Sequence, residues 1–306
     1  MTVATAPIDD RRFTLASLDR SLRLPLGLAF VAFALLYAKP MQLLVRDWTD
    51  FSNPDSGTGL LLAPLALWFA WQKGLPEERV PARALGALAL VGAAVVRYVS
   101  ELAAELFTMR LSMIMAAAGI VLWFWGWRAL LRLWLPFVLL VLAIPLPELI
   151  LAKVTAPLQF VASRIGATLI EWRGIPVRLN GNIIQVPGQE LFVAEACSGL
   201  RSLTALVNLG VLLGAMLLTK GWARVLLLLL AVPLAILING FRIFLTAFLV
   251  VFISPEAGQG FMHTTEGWLM FVIAFASLGA VASVLLWLEG RVGGQRSAAA
   301  PEVAHA

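Results

Sequence analysis

Charged residues are scarce in this 306-residue chain: they make up 13 % of it, whereas apolar residues make up 60 %. Soluble domains carry about 25 % charged residues, so the composition excludes an ordinary water-soluble fold. With lipid as the solvent, each segment must pair its own backbone polar groups, which favours helices. The net charge of +5 is compatible with binding to nucleic acid. Arginines in the cytoplasmic loops of a membrane protein account for this charge better, and we expect no nucleic-acid partner.

Residues that build prosthetic sites are scarce as well. The chain has one cysteine and two histidines, so it has no intramolecular disulfide, and no cluster with metal-ligand spacing is evident. The sequence shows no glycine-rich phosphate loop and no internal repeat. We therefore expect no metal and no other cofactor.

Eight apolar runs, taken with their flanks, predict membrane-spanning helices. Their approximate limits are 24–38, 57–72, 84–99, 111–127, 131–144, 198–218, 224–253 and 265–288. Lys39–Ser56 is predicted to be a loop, because Asn53, Pro54 and Asp55 favour turns. One transmembrane domain is thus predicted at 24–289, between a cytoplasmic tail at 1–23 and a disordered cytoplasmic tail at 290–306.

Two segments between the fifth and sixth runs differ from the others. Glu148–Trp172 alternates polar and apolar residues at helical spacing, which indicates an interfacial or re-entrant helix. The next segment, about 173–193, changes to a period of two around Asn180-Gly181, which is typical of a hairpin turn. We therefore predict an all-α polytopic membrane protein of about eight transmembrane helices, with an interfacial helix and a short extracytoplasmic β-hairpin.

The distribution of lysine and arginine predicts the orientation. With the N-terminus inside, the predicted outer loops hold only Lys39, Arg46, Arg97 and Arg110, and the predicted inner segments hold most of the others. Positive charge concentrates on the cytoplasmic side of membrane proteins. Both termini are therefore expected in the cytoplasm, and the hairpin and Cys197 on the outer face.

The single cysteine lies in the stretch Glu195-Ala196-Cys197-Ser198-Gly199-Leu200-Arg201, between the predicted hairpin and the sixth span. A lone thiol is either a small buried hydrophobe or a reactive group. Arg201 follows four residues later, about one helical turn away. This arginine either supports the thiol or pairs with Glu195 or Glu266.

Two further features converge on the same predicted face. Arg242, in Asn239-Gly240-Phe241-Arg242-Ile243, interrupts an apolar run, and its distance from Arg224 in the sequence puts it about 27 Å above that residue, near the outer boundary. An arginine there is either functional or snorkels to the interface, and Asn239 is placed to hold it by a hydrogen bond. His263, in the predicted outer loop, is a base or a capping residue. Thiol, imidazole and guanidinium together suffice for acyl transfer.

The cysteine motif, followed by Asn239–Ile243 and His263, resembles the exosortase/archaeosortase family. Asp55–Pro64 is similar to the N-terminal motif of that family, although the histidine usual in it is absent here. The resemblance covers about residues 25–290. It implies a multi-pass cysteine transpeptidase of the bacterial inner membrane that acts on exported proteins with a C-terminal sorting tail. That tail comprises a Pro-Glu-Pro-type motif, a transmembrane helix and a basic cluster. A link to exopolysaccharide production is also implied.

The resemblance further implies that Cys197, Arg242 and His263 are catalytic, in an active site that faces the periplasm. We expect Arg201, Asn239 and Glu195 to bind substrate, and membrane lipid to surround the domain. The hairpin would cover the cleft or bind an extended peptide by strand addition. Two other functions stay open: a non-enzymatic exopolysaccharide transport or assembly protein with an inert Cys197, and an acyltransferase that uses the same thiol on lipid or glycan.

Overall fold

The structure is a computed structural model that describes residues 20–50, 58–76, 78–181, 183–187, 189–192, 200–253 and 260–298. Within these residues the chain is mostly helical and has one small sheet. It divides into two compact units, Met1–Pro147 and Glu148–Ala306.

The first unit is entirely helical in its described part. Its helices are α1 (Arg20–Thr49), α2 (Thr58–Lys73), α3 (Arg83–Leu102), α4 (Leu106–Phe124), α5 (Trp127–Arg132) and α6 (Trp134–Leu142). The antiparallel pair α3 and α4 packs most extensively, α1 packs against α4, and α2 packs against α6.

The second unit combines four helices with the sheet. Its elements are α7 (Glu148–Trp172), β1 (Arg178–Asn180), β2 (Ile183–Val186), β3 (Gln189–Phe192), α8 (Leu200–Leu217), α9 (Gly221–Phe252) and α10 (Gly260–Ala298). Residues 290–298 of the predicted C-terminal tail belong to α10, and 299–306 lie outside the described residues.

Five helices of the described chain are long and apolar enough to cross a membrane: α1, α3, α4, α9 and α10. A multi-pass membrane protein is therefore confirmed, but the predicted count of eight spans is not. Three of the predicted spans correspond to shorter apolar helices. The second is the 16-residue α2, the fifth divides at Leu133 into α5 and α6, and the sixth corresponds to α8.

The predicted loop at Lys39–Ser56 is wrong as far as Thr49, because α1 continues through Pro40 to that residue; 51–57 lie outside the described residues. The continuation has a buried face of Tyr37, Pro40, Leu44 and Trp48, which recurs every three or four residues. Two hydrogen bonds fix this face: the Tyr37 hydroxyl donates to the Ser112 carbonyl at 3.1 Å and the Trp48 indole to the Ala143 carbonyl at 2.8 Å. Neighbouring helices compensate for the proline inside a membrane helix.

Two arginines counted above as outer-loop residues lie inside helices of the first unit. Arg110 of α4 is 3 % exposed, and its Nη2 atom lies 2.5 Å from Oδ2 of Asp47 on α1. Arg97 of α3 is also buried, and its Nη1 atom lies 2.7 Å from Oε2 of Glu101, one turn later. The Arg110 ion pair therefore joins α1 to α4.

Helix α9 is the central helix of the second unit, because it contributes to both of its apolar clusters. One face, which includes Leu227, Ala231 and Ile238, packs with α8 and α10. Another face, which includes Ile243 and Ala247, packs with α7 and with the sheet. Helix α7 is confirmed as one helix over Glu148–Trp172, and its interfacial position stays a prediction.

The predicted hairpin is confirmed as β1 and β2, which pair antiparallel with Asn180 opposite Ile183. Gly181 has a φ of +65°, which favours glycine in the two-residue turn. A third strand, β3, pairs antiparallel with β2 and was not predicted; Val186 lies opposite Gln189. Ile184 and Val186 of β2 are buried against the cluster of α7 and α9.

Candidate active site

The motif Asn239–Ile243 lies in the second half of α9, on one continuous helix with Arg224. At the beginning of that helix, Arg224 Nε and Nη2 donate to the Leu218 carbonyl at 3.0 and 2.7 Å. Nε also approaches the Gly214 carbonyl at 3.1 Å. Arg224 thus binds carbonyl groups at the C-terminal end of α8, and it lies on the same helix as Arg242, as predicted.

Gly240, in the centre of the motif, is where α9 approaches α7 most closely. A Cβ atom on Gly240 would lie 2.7 Å from Ile165 Cγ2 and 3.2 Å from the Ala162 carbonyl oxygen. On the other side of the contact, a Cβ atom on Gly166 would lie 2.6 Å from Ile243 Cγ2. The glycine in the motif is therefore required by helix packing, and it fixes the position of α9 beside α7.

A polar stripe runs along α9 between its two apolar faces. Asn239 and Thr246 are 3 % and 8 % exposed, and Arg242, between them in sequence, is partly buried. Residues at these spacings lie on one side of a helix. The Thr246 hydroxyl donates to the Arg242 carbonyl at 3.0 Å. Thr246 was not predicted, although its position four residues after Arg242 in an apolar run is the signal that identifies it.

Glu289 of α10 fixes the register of the bundle formed by α8, α9 and α10. Its Oε2 accepts hydrogen bonds from the Thr219 N–H and hydroxyl, both at 3.0 Å, and its Oε1 accepts one from the Lys220 N–H at 2.8 Å. Glu289 as a whole is 6 % exposed. Because Thr219 and Lys220 form the turn between α8 and α9, this end of the bundle holds all three helices together.

The candidate residues lie toward the opposite end of that bundle. From the anchored turn, the helical rise places Arg201 on α8 about 27 Å away, Arg242 on α9 about 33 Å away and His263 on α10 about 39 Å away. Both α8 and α10 run antiparallel to α9 from this anchor. The three helices that carry the candidate residues therefore pack together, and each has its candidate residue toward the end opposite the Glu289 anchor.

For Arg201 and His263 the structure describes only the position in the helix: Arg201 is the second residue of α8, and His263 is the fourth residue of α10. Cys197 and Glu195 lie outside the described residues; Cys197 comes five residues after β3 ends and three before α8 begins. In the N-terminal motif, Thr58–Pro64 form the first two turns of α2. Among the described residues no group of three or more histidine, cysteine, aspartate or glutamate side chains has the spacing of a metal site.

Comparison with known proteins gives one family. A model described as transmembrane exosortase matches residues 48–280, from the last turn of α1 into α10. No curated protein and no solved structure matches the chain. The matched range includes Cys197, the whole polar stripe of α9 and His263. Because this match covers most of the sequence, the chain belongs to the transmembrane exosortase family, a family of cysteine transpeptidases.

Proposed function

We propose that the protein is a membrane-embedded cysteine endopeptidase or transpeptidase. It removes the C-terminal sorting tail of exported proteins at the periplasmic face of the inner membrane, in association with exopolysaccharide production. The observation that supports the proposal is the Glu289 anchor at one end of α8, α9 and α10, because the helices that carry Arg201, Arg242 and His263 extend from it in the same direction. The family match supports the reaction class.

In the first step, the thiolate of Cys197 attacks the carbonyl carbon of the scissile peptide bond. A cationic surrounding lowers the pKa of a thiol and favours the thiolate. The guanidinium of Arg242 donates hydrogen bonds to the oxyanion that develops on the carbonyl oxygen. Since Arg242 is partly buried, water screens this interaction less than it would at an exposed site.

In the second step, the carbon–nitrogen bond breaks and His263 gives its proton to the leaving amine of the tail. A thioester between Cys197 and the exported protein forms. Water or an amine then attacks the thioester carbonyl, and the thiolate leaves. Arg201, Asn239 and Glu195 position the substrate. Because Asn239 is buried, it acts from within the helix packing, on the same side of α9 as Arg242.

Replacement of the thiol tests the chemistry. The assay uses a tail probe, defined as a reporter protein followed by a Pro-Glu-Pro segment, an apolar helix and a basic cluster. Cys197→Ser is expected to abolish removal of the tail, and Arg242→Lys to cause a large loss because lysine lacks the planar fork of arginine. Normal processing by Cys197→Ser would refute the role of the thiol.

Labelling of Cys197 in intact cells with a membrane-impermeant maleimide tests the location of the site. Rapid labelling that slows in Arg242→Ala or His263→Ala supports an activated thiol on the outer face. Labelling only after permeabilisation contradicts the periplasmic site, and a thiol unreactive from both sides contradicts the enzyme.

A further inference from the structure

We propose that the outer edge of β3 binds the substrate as an additional strand, through backbone hydrogen bonds to an extended peptide next to the cysteine segment. The inference rests on the proposed function and specifies how that site holds its substrate. The observations behind it are the register of the sheet, its attachment to α9 and the position of β3 in the chain.

The register determines which backbone groups of β3 face outward. Val186 and Gln189 are paired, with two residues between them. The two residues that close such a two-residue turn exchange both of their backbone hydrogen bonds with each other. The hydrogen-bonding direction alternates along a strand, so Gln189 and Leu191 pair with β2. The N–H and C=O groups of Glu190 and Phe192 therefore point away from β2, toward the edge that has no strand neighbour among the described residues.

The two edges of the sheet are not equivalent. The strand order is β1-β2-β3, so within the described residues β1 and β3 each have one strand neighbour. Helix α7 packs against β1 and β2, and Leu179 of β1 packs onto the apolar cluster of α7 and α9. Strand β3 is separated from β1 by β2. An incoming peptide thus meets an edge whose sheet is already anchored.

The anchor of the sheet is the same helix segment that carries Arg242. Ile184 and Val186 of β2 share a buried cluster with Ile243 and Ala247 of α9. Ile184 is fully buried. A peptide paired with β3 is therefore one strand removed from β2, the strand that shares a buried cluster with Ile243, the residue after Arg242. Because Cys197 follows Phe192 by five residues, the same strand also leads into the nucleophile segment.

Strand addition also suits a peptide with proline at alternate positions. A strand that is paired on only one side tolerates proline where the missing N–H would have pointed to solvent. In a Pro-Glu-Pro segment both prolines have this orientation when the glutamate faces the paired side. Such a segment can form backbone hydrogen bonds along one edge only, so it pairs with β3 only in registers that turn the glutamate N–H toward β3.

The first experiment removes one outward N–H of β3. Glu190→Pro deletes a donor that points to the substrate and leaves the ladder between β3 and β2 intact, whereas the control Glu190→Ala keeps the N–H and removes the side chain. Loss of this one backbone hydrogen bond predicts a fall of roughly threefold to tenfold in kcat/KM for the tail probe in Glu190→Pro, and less than about twofold in Glu190→Ala. Thermal unfolding and maleimide labelling of Cys197 should match the wild type in both variants.

The second experiment places single N-methyl groups on successive peptide nitrogens of the probe. Losses of processing at every second position support strand pairing, since only alternate N–H groups face β3. Losses without alternation, or equal processing by Glu190→Pro and Glu190→Ala, overturn this inference alone. Failure of the wild-type protein to cut the unmodified probe overturns the proposed function and this inference with it.

Discussion

Gly240 has no chemistry of its own, yet it determines where Arg242 lies. The absence of a side chain lets the backbones of α7 and α9 meet, with Ala162 and Ile165 against the glycine. Small residues that allow such approach are common in membrane helix contacts. The sequence motif therefore combines a packing residue with a candidate catalytic one.

Gly240→Ala should lower the free energy of unfolding by about 1–3 kcal/mol, because its methyl group overlaps Ile165 in a packed contact. The matched control is Gly279→Ala on α10, where a Cβ atom meets nothing within 4 Å. That change should leave stability unchanged or raise it by up to about 1 kcal/mol, because alanine is the better helix former. Thermal unfolding in detergent measures both. Equal unfolding temperatures for the two variants would contradict the close contact.

Glu105 caps the N-terminus of α4, so the protonation state of this one carboxyl group affects the stability of that helix end. Burial alone would raise the pKa of Glu105, but the Thr108 hydroxyl and the Thr108 and Phe107 N–H groups bind its carboxylate and lower the pKa below its ordinary value. The stabilisation by a carboxyl with a lowered pKa is complete above its unfolded pKa and is lost as the pH falls through the folded one.

The stability difference between the wild type and Glu105→Ala should therefore be constant near neutral pH and shrink under acid conditions. Unfolding temperatures of both proteins from pH 7 to pH 3 measure this. Glu171→Ala, at an exposed glutamate, is the matched control for the loss of a glutamate side chain. A pH-independent difference for Glu105→Ala would contradict the carboxylate cap.

The ion pair of Asp47 and Arg110 links two helices, α1 and α4, and the burial of Arg110 strengthens it. Asp47→Asn should lower the free energy of unfolding by about 1.5–3 kcal/mol, since it weakens a charge-assisted hydrogen bond to a buried guanidinium. Arg110→Met should cost a similar amount, and the double variant less than the sum of the two.

A surface pair gives the matched comparison for this cycle. Arg128 and Glu78 lie 3.7 Å apart with side chains that are 74 % and 83 % exposed, so their coupling energy should be about 0–1 kcal/mol. Double-mutant cycles by chemical or thermal unfolding measure both pairs. Similar coupling energies for the two would contradict a structural role of the Arg110 pair.

The Glu289 anchor should act on helices that lie far from it in sequence. Glu289→Gln retains one acceptor oxygen but loses the charge, so hydrogen bonds to the Thr219–Lys220 turn weaken. We expect a loss of about 1–3 kcal/mol in the free energy of unfolding, together with slower maleimide labelling of Cys197. Glu171→Gln is the control without such bonds. If Glu289→Gln is destabilised but Cys197 is labelled at the wild-type rate, the Glu289 anchor does not support the candidate site.

The elements that the sequence predicts well are those with a strong local signal. The turn Asn180-Gly181 identified the hairpin, and the mixed period of Glu148–Trp172 identified α7 within its observed limits. Strand β3 was missed because Gln189 and Glu190 interrupt the apolar pattern, although Pro187-Gly188 is a turn signal. The loop prediction for Lys39–Ser56 is wrong up to Thr49, because its turn-forming residues Asn53, Pro54 and Asp55 come after Thr49 and the tertiary contacts of Tyr37 and Trp48 stabilise the helix before them. Single-sequence reasoning has no access to such contacts.

The candidate site shows the same division. Its residues were predicted from their rarity and their common predicted face, and the cysteine motif added the family resemblance, which the family match confirms. The role of Gly240 in packing, the polar stripe with Thr246 and the Glu289 anchor depend on contacts between residues distant in sequence. Only the three-dimensional structure reveals these.

For the whole molecule, the distribution of positive charge predicts an even number of membrane crossings, with both termini inside. Fusions of a reporter that is active only in the cytoplasm should therefore be active at both the N-terminus and the C-terminus. A periplasmic reporter at the same positions should be silent. Opposite signals from the two termini would show an odd number of crossings and would contradict the predicted orientation.

The unequal lengths of the helices in the second unit have a consequence for the substrate. Helix α8 has 18 residues and α9 has 32; counted from their shared turn, α9 extends about 20 Å beyond the start of α8. Within the described residues, 240–252 of α9 therefore extend beyond Leu200, the first described residue of α8. An extended peptide that runs along this part of α9 needs about six residues. For the proposed cleavage, we expect this length to be the minimum of unfolded chain between the scissile bond and a folded part of the substrate that stops at the end of α9.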